Sequence, residues 1–383
     1  MLKVWKVAAL WSRFFWILPA LCLFAQAGAL AEEEEEAAGS YVGIQRRLWN
    51  VFEKNCDALV KVTALKRAEN SAEYFETASG FFVERDGTIM TTALLTHNAE
   101  KIWIENRGVV YDAQLVGFDS FTSVSVIRVS GEKKADVASF IEIKPCYEVP
   151  KIATLLFSIS CEFGFSPSPR MGVLSGHSLN LGDIVLPTVF MRSNIPSFRG
   201  SIGGAVFDIR GNFAGMTVAS LPDMHGSFVI PPNSLFKIYG DIQKHSRVIY
   251  AWFGLNTADS VCRGKPCVRI TKVIENSPAL RAGLNVGDVV LKVNSVEVKS
   301  NLHLRNIAFF MKPGQSVEFE VRRKGNFLKI PVVLEELSEA QMRFSLKKLD
   351  ELQRKNQDRY IKSENRPVKM ENQALDSLIP QAE

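Results

Sequence analysis

The sequence predicts a mainly β chain: a barrel or sandwich of short strands over residues 41–240, followed by a mixed α+β unit over residues 247–335. Three observations carry this prediction. Short β-branched and aromatic runs recur up to Pro231, separated by Gly, Asp, Asn and Pro, with almost no helical periodicity between them. After Arg247 the pattern changes to strands interleaved with two capped helical segments. The composition, 46% apolar and 23% charged over 383 residues, is too apolar for a disordered chain and too polar for a polytopic membrane protein.

Taken in order, residues 1–31 read as a secretory signal. Lys3 and Lys6 precede an apolar stretch from Phe14 to Ala25, small residues end at Ala29-Leu30-Ala31, and the acidic run Glu32 to Glu36 follows. Cleavage is expected after Ala31; an uncleaved anchor helix reaching back to Val7 is disfavoured by Arg13, which interrupts the apolar run. From Tyr41 a helical stretch with Leu48, Val51 and Phe52 leads into the strand starting near Ala58. Further strands are expected at Ser79–Val83, Thr88–Thr92, Lys101–Ile104, Ser123–Val129 and Ala205–Ile209, with a connector from Leu235 to Ser246. In the second unit Ser277-Pro278 supplies an N-cap and a first-turn proline, Gly283 a left-handed stop, and Val289–Val293 a strand. Ser300 caps a second helix that Lys312-Pro313-Gly314 ends. Residues 336–383 read as a charged helical and then disordered tail, with Ser338 and Gln341 spaced as a capping box.

Charge and cysteines narrow the function. Three of the five excess positive charges, Lys3, Lys6 and Arg13, lie in the signal, so no nucleic-acid partner is expected. No Cys/His grouping has zinc-ligand spacing, and neither a metal nor a cofactor is expected. Export, to the periplasm or cell envelope, places Cys56, Cys146, Cys161, Cys262 and Cys267 where disulfides persist. Cys262 and Cys267 enclose Arg-Gly-Lys-Pro, a turn-forming loop, and are expected to pair; Cys146 with Cys161 is the weaker pairing, and Cys56 the expected free thiol.

Three segments in one order resemble the HtrA/Deg family of exported trypsin-like serine proteases with a C-terminal PDZ domain. Asn276-Ser-Pro-Ala-Leu-Arg-Ala-Gly-Leu-Asn-Val-Gly-Asp resembles the PDZ pattern S-P-A-x-x-A-G-L-x-x-G-D. Ala78-Ser-Gly-Phe-Phe-Val resembles the first-barrel hairpin, and Gly200-Ser-Ile-Gly-Gly resembles the nucleophile segment G-N-S-G-G. The resemblance implies a chymotrypsin-like double β-barrel followed by an α+β PDZ domain. It also implies a triad that this sequence lacks, since Leu94 stands where the general-base His belongs, Ser123 where the orienting Asp belongs, and Ile202 where the nucleophile belongs. A serine attacks only when an imidazole takes its proton, and neither Leu94 nor Ile202 offers the needed group.

The resemblance further implies a peptide-binding site in the PDZ unit. Trp252-Phe253-Gly254-Leu255 matches the loop that captures a peptide's terminal carboxylate with backbone amides, and Leu255, Ile307 and Phe310 are expected to form its apolar pocket. Phe198 is expected to fill part of the old substrate cleft. The leading expectation is thus an exported pseudoprotease that binds peptide C-termini or unfolded envelope proteins, as a scaffold, a holder or a regulator of an active homologue. Two alternatives stand beside it: an active endopeptidase with relocated residues such as Ser201 and His97, and an assembly subunit, since the family trimerises and Tyr41–Phe52 could serve that contact.

Overall fold

The computed structural model describes residues 42–68, 72–131, 135–145, 150–181, 184–221, 226–262 and 264–338. The residues expected to form a signal, Cys146 and the residues beyond 338 lie outside the described residues. Helix α1, residues 42–55, turns Leu48, Val51 and Phe52 onto the barrel core and leaves Val42 and Trp49 exposed.

Six strands close the first barrel: β1 (Leu59–Arg67), β2 (Glu73–Phe82), β3 (Thr88–Thr92), β4 (Lys101–Asn106), β5 (Val109–Asp119) and β6 (Val124–Val129), in the spatial order β1-β2-β3-β6-β5-β4. Alternation of buried and exposed residues along β4 and β5 places Ile102, Ile104, Tyr111 and Ala113 inward, as a one-sided barrel wall requires. The four-residue helix α2 (Ala93–Thr96) follows β3 directly; the Thr92 side chain caps it by accepting from the Leu94 amide.

The second barrel comprises β7 (Leu155–Ser160), β8 (Ser168–Leu181), β9 (Ile184–Ser193), β10 (Ala205–Asp208), β11 (Phe213–Leu221) and β12 (Gly226–Ile230), in the order β10-β11-β12-β9-β8-β7. Helix α3 (Pro232–His245) follows, and its Leu235, Ile238 and Ile242 are fully buried in a core shared with Phe81, Met90, Phe207 and Met216 of both barrels. A single apolar core spanning both barrels fixes them against each other, and so fixes the cleft between them.

The second unit contains β13 (Ala251–Trp252), β14 (Leu255–Cys262), β15 (Lys265–Val273), α4 (Pro278–Ala282), β16 (Val289–Val293), β17 (Val296–Glu297), α5 (Asn301–Phe309), β18 (Ser316–Arg323), β19 (Asn326–Val333) and β20 (Glu335–Glu336). Its sheet runs β14-β15-β16-β18-β19, so β14 is an edge strand. The caps read from sequence hold: Ser277 accepts from the Leu280 amide, Gly283 is left-handed at φ 86°, and Ser300 accepts from the His303 amide. Cys262 and Cys267 are bonded, with Cα atoms 5.8 Å apart.

Helix α5 also touches the barrels. Thr188 Oγ1 of β9 donates to Asn306 Oδ1 at 2.9 Å, and Phe309 is buried in the barrel-side cluster. Beside it the Tyr250 hydroxyl donates to Asp119 at 2.6 Å, and the Tyr250 ring meets Phe121 and Phe309 at centroid distances of 5.0 and 5.9 Å. Burial raises the Asp119 carboxyl above its ordinary range despite donors from Thr122, Tyr250 and the Phe121 amide.

Candidate functional site

Of the three positions read from the trypsin-like pattern, Leu94 and Ser123 lie in neighbouring segments of the first barrel, and Ile202 is tied to that barrel through Ser79. Thr92 and Val124 are paired across β3 and β6, and the Ala93 amide donates to the Ser123 carbonyl at 2.7 Å, so the start of α2, with Leu94, lies beside Ser123. Ile202 comes from the loop before β10, and its carbonyl accepts from the Ser79 amide of β2 at 2.9 Å. Ser79 is the node of this junction. Its hydroxyl donates to the Gly200 carbonyl at 2.6 Å and accepts from the Cys161 amide at 2.7 Å, while its carbonyl accepts from Thr91 Oγ1 at 2.7 Å. Gly203 completes the close fit: at φ 89°, a Cβ there would lie 2.0 Å from the Ser79 oxygen, so no other residue fits.

The serine beside the nucleophile position faces a carboxylate already held by an arginine, and Leu94 and Ile202 carry no ionisable group. Lys66, 3% exposed, donates its ammonium to the Leu94 carbonyl at 2.7 Å and pairs with Glu76 at 3.1 Å, pinning α2 in place. Burial lowers the Lys66 pKa, against the opposing pull of Glu76. Ser201 is buried, accepts from the Phe198 amide at 2.8 Å and donates to Glu162 Oε1 at 3.2 Å. Glu162 is itself held by Arg170 through a two-pronged pair, Nε to Oε1 at 2.6 Å and Nη2 to Oε2. The His97 ring lies against Phe118, with centroids 5.0 Å apart. Phe198 is 42% exposed on the second barrel, against Phe163 and beneath the Arg170 guanidinium.

The second site is the PDZ groove. Trp252 and Leu255 lie in β13 and β14, on either side of Phe253 and Gly254. The Phe253 and Gly254 carbonyls accept from Ala279 and Ile274, at 2.9 and 2.8 Å; among the described residues neither of their amides donates to a backbone carbonyl. Gly254 has φ 80°, and a Cβ would lie 2.0 Å from that of Ser277, so this position admits glycine alone. The open edge of β14 faces α5, and Thr257 Oγ1 donates to Asn301 Oδ1 at 2.7 Å across the interval.

Of the two helix residues expected in the pocket, Ile307 is half-buried against the core of the second unit, as Leu255 also is, and Phe310, one residue past α5, packs on the barrel-side cluster. Asn301 faces β14, and the positions four and seven residues on, Arg305 and Ala308, share that face. Sequence reading missed Arg305 and Ala308 because a helix phase needs one fixed contact, and Thr257–Asn301 is a tertiary one.

Comparison with known proteins follows the same division. Residues 78–216 match the model of the trypsin-like peptidase domain, and residues 254–334 match the PDZ domain. The serine endoprotease DegS of Haemophilus influenzae is 30% identical over 266 residues, covering 67% of this chain and 76% of that protein. The chain belongs to the HtrA family. A probable periplasmic DegP-like serine endoprotease of Pseudomonas putida is 26% identical over 274 residues, and the match covers 68% of this chain but just over half, 56%, of that HtrA relative. Among solved structures, the HtrA-type protease AlgW with a tripeptide superposes with TM-score 0.66 at 21% identity, over 76% of this chain and 97% of that one. The serine endoprotease of Yersinia pestis superposes with TM-score 0.55 at 22% identity, over 76% of this chain and 98% of that one.

Proposed function

We propose that this HtrA-family chain is an exported pseudoprotease that binds peptide C-termini or unfolded envelope proteins through its PDZ groove and does not cleave them. One observation carries the reading. The only serine beside the nucleophile position, Ser201, spends its hydroxyl on a carboxylate already held by Arg170, while Leu94 and Ile202 stand where a base and a nucleophile are needed. Loss of triad members costs about a million-fold in turnover, which leaves no proteolysis by that mechanism.

Recognition is supported by the edge strand β14, the glycine-dependent loop Trp252–Leu255 and the inward-bonded carbonyls of Phe253 and Gly254. An added peptide strand would pair with β14 and place its carboxylate at the loop. The periplasmic name of DegP-like relatives and the signal-like residues 1–31 support an envelope location. Within it, the chain acts as a scaffold, a holder of unfolded protein or a regulator of an active homologue. Incubation of the purified mature chain with a fluorophosphonate and with unfolded casein tests the reading. The expected result is neither adduct nor cleavage; stoichiometric labelling of Ser201 or any other serine would overturn it.

A further inference from the structure

An open cavity of about 260 Å³ lies at the seam between the barrels and α5, with Phe121 of the first barrel, Pro187 of the second, and Tyr250, Ala308 and Phe309 arranged around Arg305. Ala251 also lines it and immediately precedes Trp252 of the loop that the proposed function assigns to a peptide carboxylate. Four arginines elsewhere are matched by acids: Arg170 with Glu162, Arg247 with Glu336, Arg281 with Glu335 and Arg323 with Asp288. Arg305 is half-buried, no acid pairs with it among the described residues, and burial alone lowers its pKa. A guanidinium partly withdrawn from water without a counter-charge is unfavourable, and a fork of N–H donors in that state suits an incoming carboxylate.

We propose that the seam cavity binds a carboxylate joined to a large apolar group, the C-terminal residue of a peptide, with the carboxylate on Arg305 and the side chain against Phe121, Tyr250 and Phe309. This rests on the PDZ reading above and adds two things to it. A charged side chain joins the backbone amides in holding the terminus, and specificity for large apolar terminal residues comes partly from the barrels. The site is complete only with the second unit seated on the barrels, so an isolated fragment 247–335 would bind more weakly than the full chain. The aromatic rings supply apolar surface with little rotamer freedom to lose, and Arg305 supplies the one strong polar contact.

Fluorescence anisotropy with a labelled decapeptide ending in Phe tests this on the full mature chain. The free-acid peptide should bind more tightly than its terminal amide. Arg305→Gln should weaken the acid by about tenfold and bring acid and amide together, as expected for one lost charge-assisted hydrogen bond. Phe121→Ala, in the first barrel, should also weaken the acid several-fold, and Arg305→Lys should restore part of the acid-over-amide preference. Melting curves establish that each variant is folded. If the wild-type chain prefers the acid while Arg305→Gln and Phe121→Ala leave both affinities within twofold, the loop alone holds the terminus and this proposal fails while the PDZ reading stands. If no peptide binds but 3-phenylpropionate does so in an Arg305-dependent way, the cavity is a site for free apolar acids and the PDZ reading fails instead. Binding of neither probe overturns both.

Discussion

Ser79→Ala removes one oxygen from the junction of the two barrels. That hydroxyl bonds the Gly200 carbonyl at 2.6 Å and the Cys161 amide at 2.7 Å, and Ser79, Gly200 and Cys161 are all buried. The alanine leaves a buried acceptor and a buried donor unpaired, at about 1–3 kcal/mol each, for a total of about 2–6 kcal/mol. Against a stability of about 5–15 kcal/mol that is a large fraction. At about 2–4 °C per kcal/mol for a domain of this size, the melting temperature should fall by roughly 4–24 °C. Urea denaturation followed by circular dichroism gives the free energy, and calorimetry the midpoint. Thr91→Val removes a separate bond, Thr91 Oγ1 to the Ser79 carbonyl, and should cost about 1–2 kcal/mol. The double variant should fall short of additivity, because both side chains hold the same strand. A shift below about 2 °C for Ser79→Ala would refute the view that this hydroxyl ties the nucleophile loop to the first barrel, since unpaired buried groups could not cost so little.

Three further outcomes follow from particular residues. Gly254→Val should unfold the second unit and not merely block ligand, because the position is left-handed and a Cβ would lie 2.0 Å from Ser277; proton NMR of the variant should lose the dispersed signals of that unit. Burial pushes the Cys161 thiol up to about 12, so iodoacetamide at about pH 8 should label it only after denaturation, as peptide mapping will read. The raised Asp119 pKa favours the folded state below the unfolded carboxyl range, near 3.9, and that contribution is lost as pH rises through the folded value. The stability of the natural chain relative to Asp119→Asn should therefore decline as pH rises above about 4 in urea titrations, and a rise would contradict the burial argument.

The sequence by itself determined the elements and their order. Strand runs such as Thr88–Thr92 and Val289–Val293, and caps such as Ser277, Gly283 and Ser300, are set by side-chain oxygens, backbone freedom and alternation within a few residues, and all are found in the structure. The ordered motifs were enough to point to the family, and the Cys262–Cys267 loop was legible because its closure is local.

Tertiary structure alone decided what those residues do to one another. Ser79 reads in sequence as an ordinary hairpin residue, and its role depends on Cys161, Gly200 and Ile202, which arrive from the other barrel. Ser201 looked available as a replacement nucleophile until Glu162 and Arg170 were placed beside it. On α5 the apolar residues Ile307 and Phe310 drew attention, yet docking against β14 and β9 turned Arg305 and Ala308 to the cavity and sent Phe310 to the barrels. Periodicity gives a helix its faces, but which face meets which neighbour is fixed by long-range packing, and no local pattern encodes that choice.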